Sequence, residues 1–433
     1  MLLRILLLFV LFYVRISCNH ANESWDRDIG HHRYLTDANL PREHIAISIV
    51  VCGGPQSLHV SLAKRVLLSL AMNKRHHDHY KVYIFYDPAE VPAEHSPEWL
   101  FCSYNTSNSR ELLRRLHIAH NMFIKFRPVP LVISNKVFNL FKRCATVKLW
   151  LPDLLVEEDA VINIDTDMIV MESMQGLWDE RSLFTEDNYI AVTEEAYFGA
   201  SWYNHYRRRK VEARGINTGV VLFDLQVARR LNTTDIYTNI LTAEHPLSDF
   251  FLGDQDVINV ALSLRKGLYR ILPCRWNRRI NDKETCFDGN MALSPGILHA
   301  NRDILYTNEY KQDPVWIEST ALHRAAYSMY SQLLVRDGMW CVPLRDAAPG
   351  SNCADLLAPA ESSSKYFNDG YLLRANTEKE VYIILKGYRH PFPNPETFDS
   401  MNLSFNDVKV VPSYFLHSIP VGNVVPNVLG PKN

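Results

Sequence analysis

The sequence predicts an α/β protein with a small β-rich module at its C-terminal end. Three observations carry this. Ile45-Ala-Ile-Ser-Ile-Val-Val51 is a buried-strand run ending at Gly53-Gly54, followed by a helical apolar pattern from Leu58 to Met72 and a second strand, Lys81 to Tyr86. Val161 to Met171 is a second apolar run that carries two carboxylates, Asp165 and Asp167. Beyond Gly338 the composition changes to Pro, Ala and Ser, and then to short strands among Gly, Pro and Asn turns.

The first unit, strand, glycine turn, helix, strand, is how a nucleotide-binding sheet opens. Its two glycines fall short of a dinucleotide fingerprint, so the turn points to a nucleotide and not to NAD. A helix at 109–120 and a strand at Met122–Phe126 add a unit, and a helix from Cys144 to Leu155 leads into the Asp165 strand. Strands follow at Tyr189–Val192, Ile216–Phe223 and Gly296–His299, with a helix over Val257–Leu264 and a closing helix over 314–335.

Composition narrows the function classes. The chain has 433 residues, 47% hydrophobic and 11% aromatic, enough for a sizeable core, and its net charge of −2 argues against a nucleic-acid binder. Residues 1–19 are a targeting segment, with Arg4, an apolar run from Ile5 to Val14, and Arg15. That length suits a signal-peptide core and is short for a span; cleaved signal and type II anchor both fit. Either one places the body in the secretory pathway lumen, endoplasmic reticulum or Golgi, with any membrane contact made through this segment. Asn22, Asn105, Asn232 and Asn402 begin N-glycosylation tripeptides. Of eight cysteines, Cys274/Cys286 and Cys341/Cys353 read as local bridges, and Cys52 and Cys144 as buried free thiols. The organisation expected is a stem at 20–43, an α/β domain at 44–338, a linker at 339–364 and the β module at 365–433. Segments of that module, such as Tyr371-Leu-Leu-Arg374 and Val381-Tyr-Ile-Ile384, resemble a small module appended to various extracellular proteins.

If Val161–Met171 is one strand, Asp165 and Asp167 share a face and Thr166 takes the other. Paired carboxylates repel unless a cation sits between them, and oxygen ligands suit Mg²⁺ or Mn²⁺. Spacing alone does not single out this pair, because Asp26/Asp28 and Asp254/Asp256 share it.

Context separates them. Phe141-Lys-Arg-Cys-Ala145 with Leu151-Pro152, Asn163-Ile-Asp-Thr-Asp167, Trp202-Tyr-Asn204, Ile216-Asn-Thr-Gly219, Gly253-Asp-Gln-Asp256, Pro273-Cys-Arg-Trp-Asn277 and Ile297-Leu-His-Ala-Asn-Arg302 occur in one order across residues 44–335. In this the chain resembles the retaining glycosyltransferases of family 8, with a GT-A fold, and within them the glucoside xylosyltransferases. The resemblance implies that Asp165, Asp167 and His299 hold Mn²⁺ (or Mg²⁺) against the diphosphate of a UDP-sugar. It places Val51, Cys52, Gly53, Lys148, Thr166, Asn217 and Lys311 around the nucleotide-sugar, with Lys148 and Lys311 as phosphate contacts. It puts Asp254 and Gln255 near the anomeric carbon and Trp202, Tyr203 and Asn204 on the acceptor side. Asp254 also suits a helix N-cap. The implied reaction is transfer from UDP-xylose, or another UDP-sugar, to an O-linked glucose on a glycoprotein EGF-like repeat in α1,3 linkage. The added C-terminal module departs from the family pattern.

Two rival readings fit the sequence less well. A haloacid-dehalogenase-type phosphatase also has Asp-x-Asp after a strand, but needs Thr or Val where this chain has Ile169, and needs it at the first strand. A non-catalytic glycan-binding protein has no need of the Asp pair, His299 and Asp254-Gln255 together. Lys74-Arg-His-His-Asp-His79 reads as a solvated helix end, Arg207–Lys210 as a polar loop and His31-His32 as part of the stem.

Overall fold

The structure is a computed structural model. It describes residues 43–101 (except 55, 56, 76 and 94–96), 122–129, 144, 146–195, 215–242, 253–279, 287–288, 291–292, 294–300, 322–327, 367 and 369–426 (except 412 and 418).

The elements that frame the site are strands β1 (Ile45–Val51), β2 (Tyr80–Tyr86), β3 (Met122–Pro128), β4 (Ala160–Ile164), β5 (Met168–Val170), β6 (Ile190–Glu194), β7 (Ile216–Asp224), β8 (Tyr269–Ile271) and β9 (Arg278–Arg279). A short pair, β10 (Phe287–Asp288) and β11 (Met291–Ala292), precedes β12 (Ile297–His299). Helices are α1 (Leu58–Asn73), α2 (Val147–Leu154), α3 (Gln175–Asp179), α4 (Leu225–Arg230), α5 (Thr233–Thr242) and α6 (Asp254–Leu264). The main sheet has the order β3-β2-β1-β4-β7-β6-β8, with β7 antiparallel to its neighbours β4 and β6 and the other pairs parallel. This is a mixed sheet with helices on both faces, the arrangement expected of a GT-A fold. A smaller sheet has the order β5-β12-β9.

Alternation along each strand builds the core. Ile47, Ile49 and Val51 of β1 and Ile162 and Ile164 of β4 face α1, while Ala46 and Val161 face the layer of α2 and α4–α6. Asn163 Nδ2, on the second face, donates to Ser48 Oγ across the β1–β4 pair, 2.9 Å. Ser57 caps α1 by accepting from Val60 N, 3.3 Å.

Four expectations change. Val161–Met171 is not one strand. β4 ends at Ile164, residues 165–167 form a turn, and β5 pairs with β12 in the other sheet. Asp165 and Asp167 still converge, but through the turn and not through strand alternation. Cys52 and Cys144 are not free thiols; they form a disulfide with Cα atoms 6.1 Å apart, across 92 residues of sequence. The 74–79 stretch is only partly solvated. Lys74 and Asp78 are buried, and Asp78 accepts a 2.6 Å hydrogen bond from Ser173 Oγ. Asp78 borders a cleft of about 590 Å³ at the strand ends opposite Asp165, lined also by His44, Glu158, Trp178 and Arg181. Lastly, Asp254 is the first residue of α6, not its cap. Gly253 takes the cap position at φ +65°, a conformation that favours glycine.

The C-terminal strands β13 (Tyr371–Ala375), β14 (Val381–Leu385), β15 (Tyr388–Pro391) and β16 (Lys409–Val411) form their own sheet, in the order β15-β14-β13-β16. One face encloses Leu372, Ile383, Phe392 and Phe398. The other packs with Leu68 and Met72 of α1, Ile169 and Met171 around β5, and Leu298 of β12. The small β5-β12-β9 sheet is therefore buried on both sides, with Met168, Val170 and Ile297 turned to the main core. The expected helices at 109–120 and over most of 314–335 lie outside the described residues, though 322–327 are helical.

Candidate active site

The site forms where β1, β4, the start of β7, the end of β12 and the start of α6 meet. Because β7 runs antiparallel to β4, its first residues lie beside the carboxyl end of β4, and Asp165 N donates to Gly219 O, 3.0 Å. Because β12 pairs antiparallel with β5, His299 stands opposite Met168, one residue past Asp167, and Ala300 N donates to Asp167 O, 2.9 Å. Two sheet pairings thus deliver the three groups.

Asp165, Asp167 and His299 offer ligand atoms all within 4.8 Å of one another, the one such group among the described residues. His299 Nε2 lies 3.5 Å from Asp167 Oδ2. Burial raises the Asp165 carboxyl above its ordinary range; Lys148 opposes this, while Asp167 and Asp254 push it further up. Burial would raise Asp167 too, but His299, a backbone hydrogen bond and Lys148 together lower the carboxyl. Two carboxylates crowded beside an imidazole are the environment that a hard divalent cation relieves, so the residues present fit Mn²⁺ or Mg²⁺.

Lys148 of α2 is the hub on the other side. Its Nζ lies 2.7 Å from Asp165 Oδ1 and 3.2 Å from Asp254 Oδ2, and donates to Thr218 O, 2.9 Å. Burial alone would lower its ammonium, but the two carboxylates raise it. Asp254 Oδ2 also accepts from Thr218 Oγ1, 3.2 Å. Gln255 is held at both ends: its Oε1 accepts from Thr218 N, 3.2 Å, and its Nε2 donates to Glu195 Oε2, 3.4 Å. Asn217 Nδ2 donates to the same Glu195 oxygen, 3.1 Å, and Arg279 Nη1 to Glu195 Oε1, 2.9 Å.

Asp165, Asp167, His299, Lys148, Asp254, Gln255 and Asn217 therefore come together. Val51 sits at the strand end as expected, but its side chain is wholly in the core. Cys52 is bonded to Cys144, and Gly53, at φ +96°, has no room for a Cβ beside Ser57. Thr166 is buried, 3.5 Å from His59 Nδ1. Lys311, Trp202, Tyr203 and Asn204 lie outside the described residues, as do Asn22, Asn105, Cys286, Cys341 and Cys353. Cys274 is disulfide-bonded, to a cysteine outside the described residues. Asn232 and Asn402 are exposed. Sequence reasoning assigned no role to Glu195, Thr218, Asn277 or Arg279. Thr218 and Asn277 fall inside the motifs quoted above; no local pattern marks the other two.

A sequence profile of glycosyl transferase family 8 matches residues 56–299. The chain belongs to glycosyl transferase family 8. It is similar to glucoside xylosyltransferase 1 of Danio rerio, 29% identical over 192 residues, covering 39% of this chain and 45% of that protein. To xylosyl- and glucuronyltransferase LARGE2s of Gallus gallus it is 34% identical over 185 residues, covering 40% of this chain and 24% of that protein. The match thus spans less than half the length of either relative. Among solved structures, the apo form of mouse xyloside xylosyltransferase 1 aligns with a TM-score of 0.43 and 16% identity, covering 60% of this chain and 99% of that one.

Proposed function

We propose that the protein is a retaining, Mn²⁺-dependent xylosyltransferase that moves xylose from UDP-xylose to an O-linked glucose on glycoprotein EGF-like repeats, in α1,3 linkage. The observation that carries the reading is the convergence of Asp165, Asp167 and His299 on one side of Lys148 with Asp254 and Gln255 on the other. The name of the zebrafish relative supports xylose as the sugar. A second donor, a UDP-hexuronate, is kept because the chicken relative is named for glucuronyl as well as xylosyl transfer.

When bound, the cation supplies positive charge where the departing diphosphate gains negative charge. Asp165, Asp167 and His299 would hold it. Lys148 fixes Asp165 and Asp254 relative to each other. Asp254 Oδ2 is engaged by Lys148 and Thr218, and Gln255 Oε1 by Thr218 N. Retention then follows either from attack on the face that UDP leaves or from a carboxylate intermediate formed through the other oxygen of Asp254. The C1–O bond to phosphate breaks with its electron pair going to UDP. The acceptor oxygen bonds to C1, and its proton passes to the departing phosphate oxygen. The Cys52–Cys144 bridge and the N-terminal apolar segment support a place in the oxidising lumen of the secretory pathway. Among the described residues no helix is long and apolar enough to cross a membrane.

The test is a panel of UDP-sugars offered with an acceptor glucoside and Mn²⁺, followed by linkage analysis of the product. An α1,3-xylosyl glucoside is expected. Transfer from another donor alone would replace the xylose reading.

A further inference from the structure

The metal-facing and sugar-facing halves of the site meet at one buried asparagine. Asn277 follows Trp276 in the short helical turn Cys274–Asn277 and has no exposed surface. Its Nδ2 donates to Asn217 Oδ1 at 2.7 Å and to Thr193 Oγ1 at 3.0 Å, and its Oδ1 lies 2.8 Å from His299 Nδ1.

The direction of every bond in this chain follows from a backbone group. Gly219 N–H can only donate, and it donates to Asn217 Oδ1 at 3.0 Å. Asn217 therefore turns its oxygen toward Asn277 and its Nδ2 toward Glu195, 3.1 Å away. Facing an acceptor, Asn277 must present Nδ2 there, which leaves Oδ1 against the imidazole. An acceptor at that position requires His299 Nδ1 to carry the proton. The remaining nitrogen, Nε2, then turns its lone pair toward Asp165 and Asp167.

We infer that Asn277 is a positioning residue: its Oδ1 holds His299 in the Nδ1–H tautomer, and its Nδ2 ties that ligand to Asn217 and Glu195 on the sugar side. The inference rests on reading Asp165, Asp167 and His299 as a cation site. Outer partners that set a histidine tautomer change metal affinity about 10- to 100-fold when removed. Asn277 also makes the two halves one unit. A shift of His299 is transmitted through Asn217 to the carboxylate that holds Gln255.

The test uses the full chain as wild type, Asn277→Ala and Asn277→Asp. Mn²⁺ binding in the presence of UDP is measured by titration calorimetry, without turnover. The His299 tautomer is read by NMR of ¹⁵N-histidine protein, assigned with His299→Gln. The wild type is expected to show the Nδ1–H form. Asn277→Ala is expected to show mixed tautomers and Mn²⁺ affinity lower by about 10- to 100-fold. Asn277→Asp keeps an acceptor for Nδ1–H and loses the donor to Asn217. Near pH 8 it is expected to keep Mn²⁺ affinity within about threefold while kcat falls at least about tenfold. If Asn277→Ala does not fold, the aspartate variant decides, since loss of its Mn²⁺ affinity contradicts the tautomer role. An Nε2–H wild type, or Asn277→Ala binding like the wild type, overturns the inference and leaves the cation site intact. A wild type that takes up no Mn²⁺ with UDP overturns the cation site itself.

Discussion

Lys148 Nζ lies 2.7 Å from Asp165 Oδ1, and the same ammonium reaches Asp254 Oδ2 at 3.2 Å. A lysine expected to touch phosphate is thus also the tie between a metal-facing carboxylate and one expected near the anomeric carbon. Lys148→Met leaves both carboxylates without their shared partner. The expected result is a fall in kcat/KM of about 100-fold or more, in the range for loss of one preorganised electrostatic contact. Steady-state kinetics with a saturating acceptor check it, together with a lowered Tm.

Gly219 is required by a close approach. A Cβ there would stand 2.5 Å from His299 Cε1 and 2.7 Å from Met168 Cε. Gly219→Ala is expected to displace the imidazole and weaken Mn²⁺ binding at least about tenfold. Calorimetry of Mn²⁺ with UDP reads this directly.

The Cys52–Cys144 bridge closes a loop of 92 residues of sequence separation between the end of β1 and the approach to α2. Chain-entropy arguments put its contribution at roughly 4–5 kcal/mol at most. The double variant Cys52→Ser/Cys144→Ser is expected to unfold at clearly lower denaturant concentration than the wild type. The double substitution leaves the Cys274 bridge intact, which a reducing agent would not.

His323 gives a pH dependence of stability. Burial, with smaller contributions from Arg278 and His299, lowers its imidazole from 6.5 to about 4 against the raising effect of its hydrogen bond to Arg278 O. In the unfolded chain it gains a proton near pH 6.5, but in the native state only near pH 4. Between these values the unfolded state binds more protons, so stability is full above pH 6.5 and is lost as pH falls toward 4. The loss is on the order of 3 kcal/mol. His323→Gln is expected to remove that part of the slope, seen by denaturant unfolding at pH 7.5 and pH 4.5.

Much of this fold is legible in the sequence because its strands are short apolar runs bounded by glycine and polar residues. β1, β2 and β7 fall within a residue or so of their expected limits. The turn at Asp165–Asp167 is not legible. Ile162 and Ile164 before it and Met168 and Val170 after it continue one strand pattern, and only pairing with β7 and then β12 shows the change of sheet. The Cys52–Cys144 bridge is hidden for the same reason, since its cysteines meet only through the fold. The candidate metal ligands Asp165, Asp167 and His299 are legible through the family motifs. Asn277, Glu195 and Arg279 act through bonds among β6, β7, α6 and the Cys274–Asn277 turn, and no local pattern records such a network.

The central claim is that Asp165, Asp167 and His299 hold the cation on which sugar transfer from a UDP-donor depends. The most direct measurement is UDP release from UDP-xylose and other UDP-sugars, with and without Mn²⁺, by the wild type and Asp167→Ala. Release by the wild type is expected only with Mn²⁺, with a loss of at least about 100-fold in Asp167→Ala. Full activity of Asp167→Ala would contradict the metal assignment, and no release from any donor would contradict the enzyme itself.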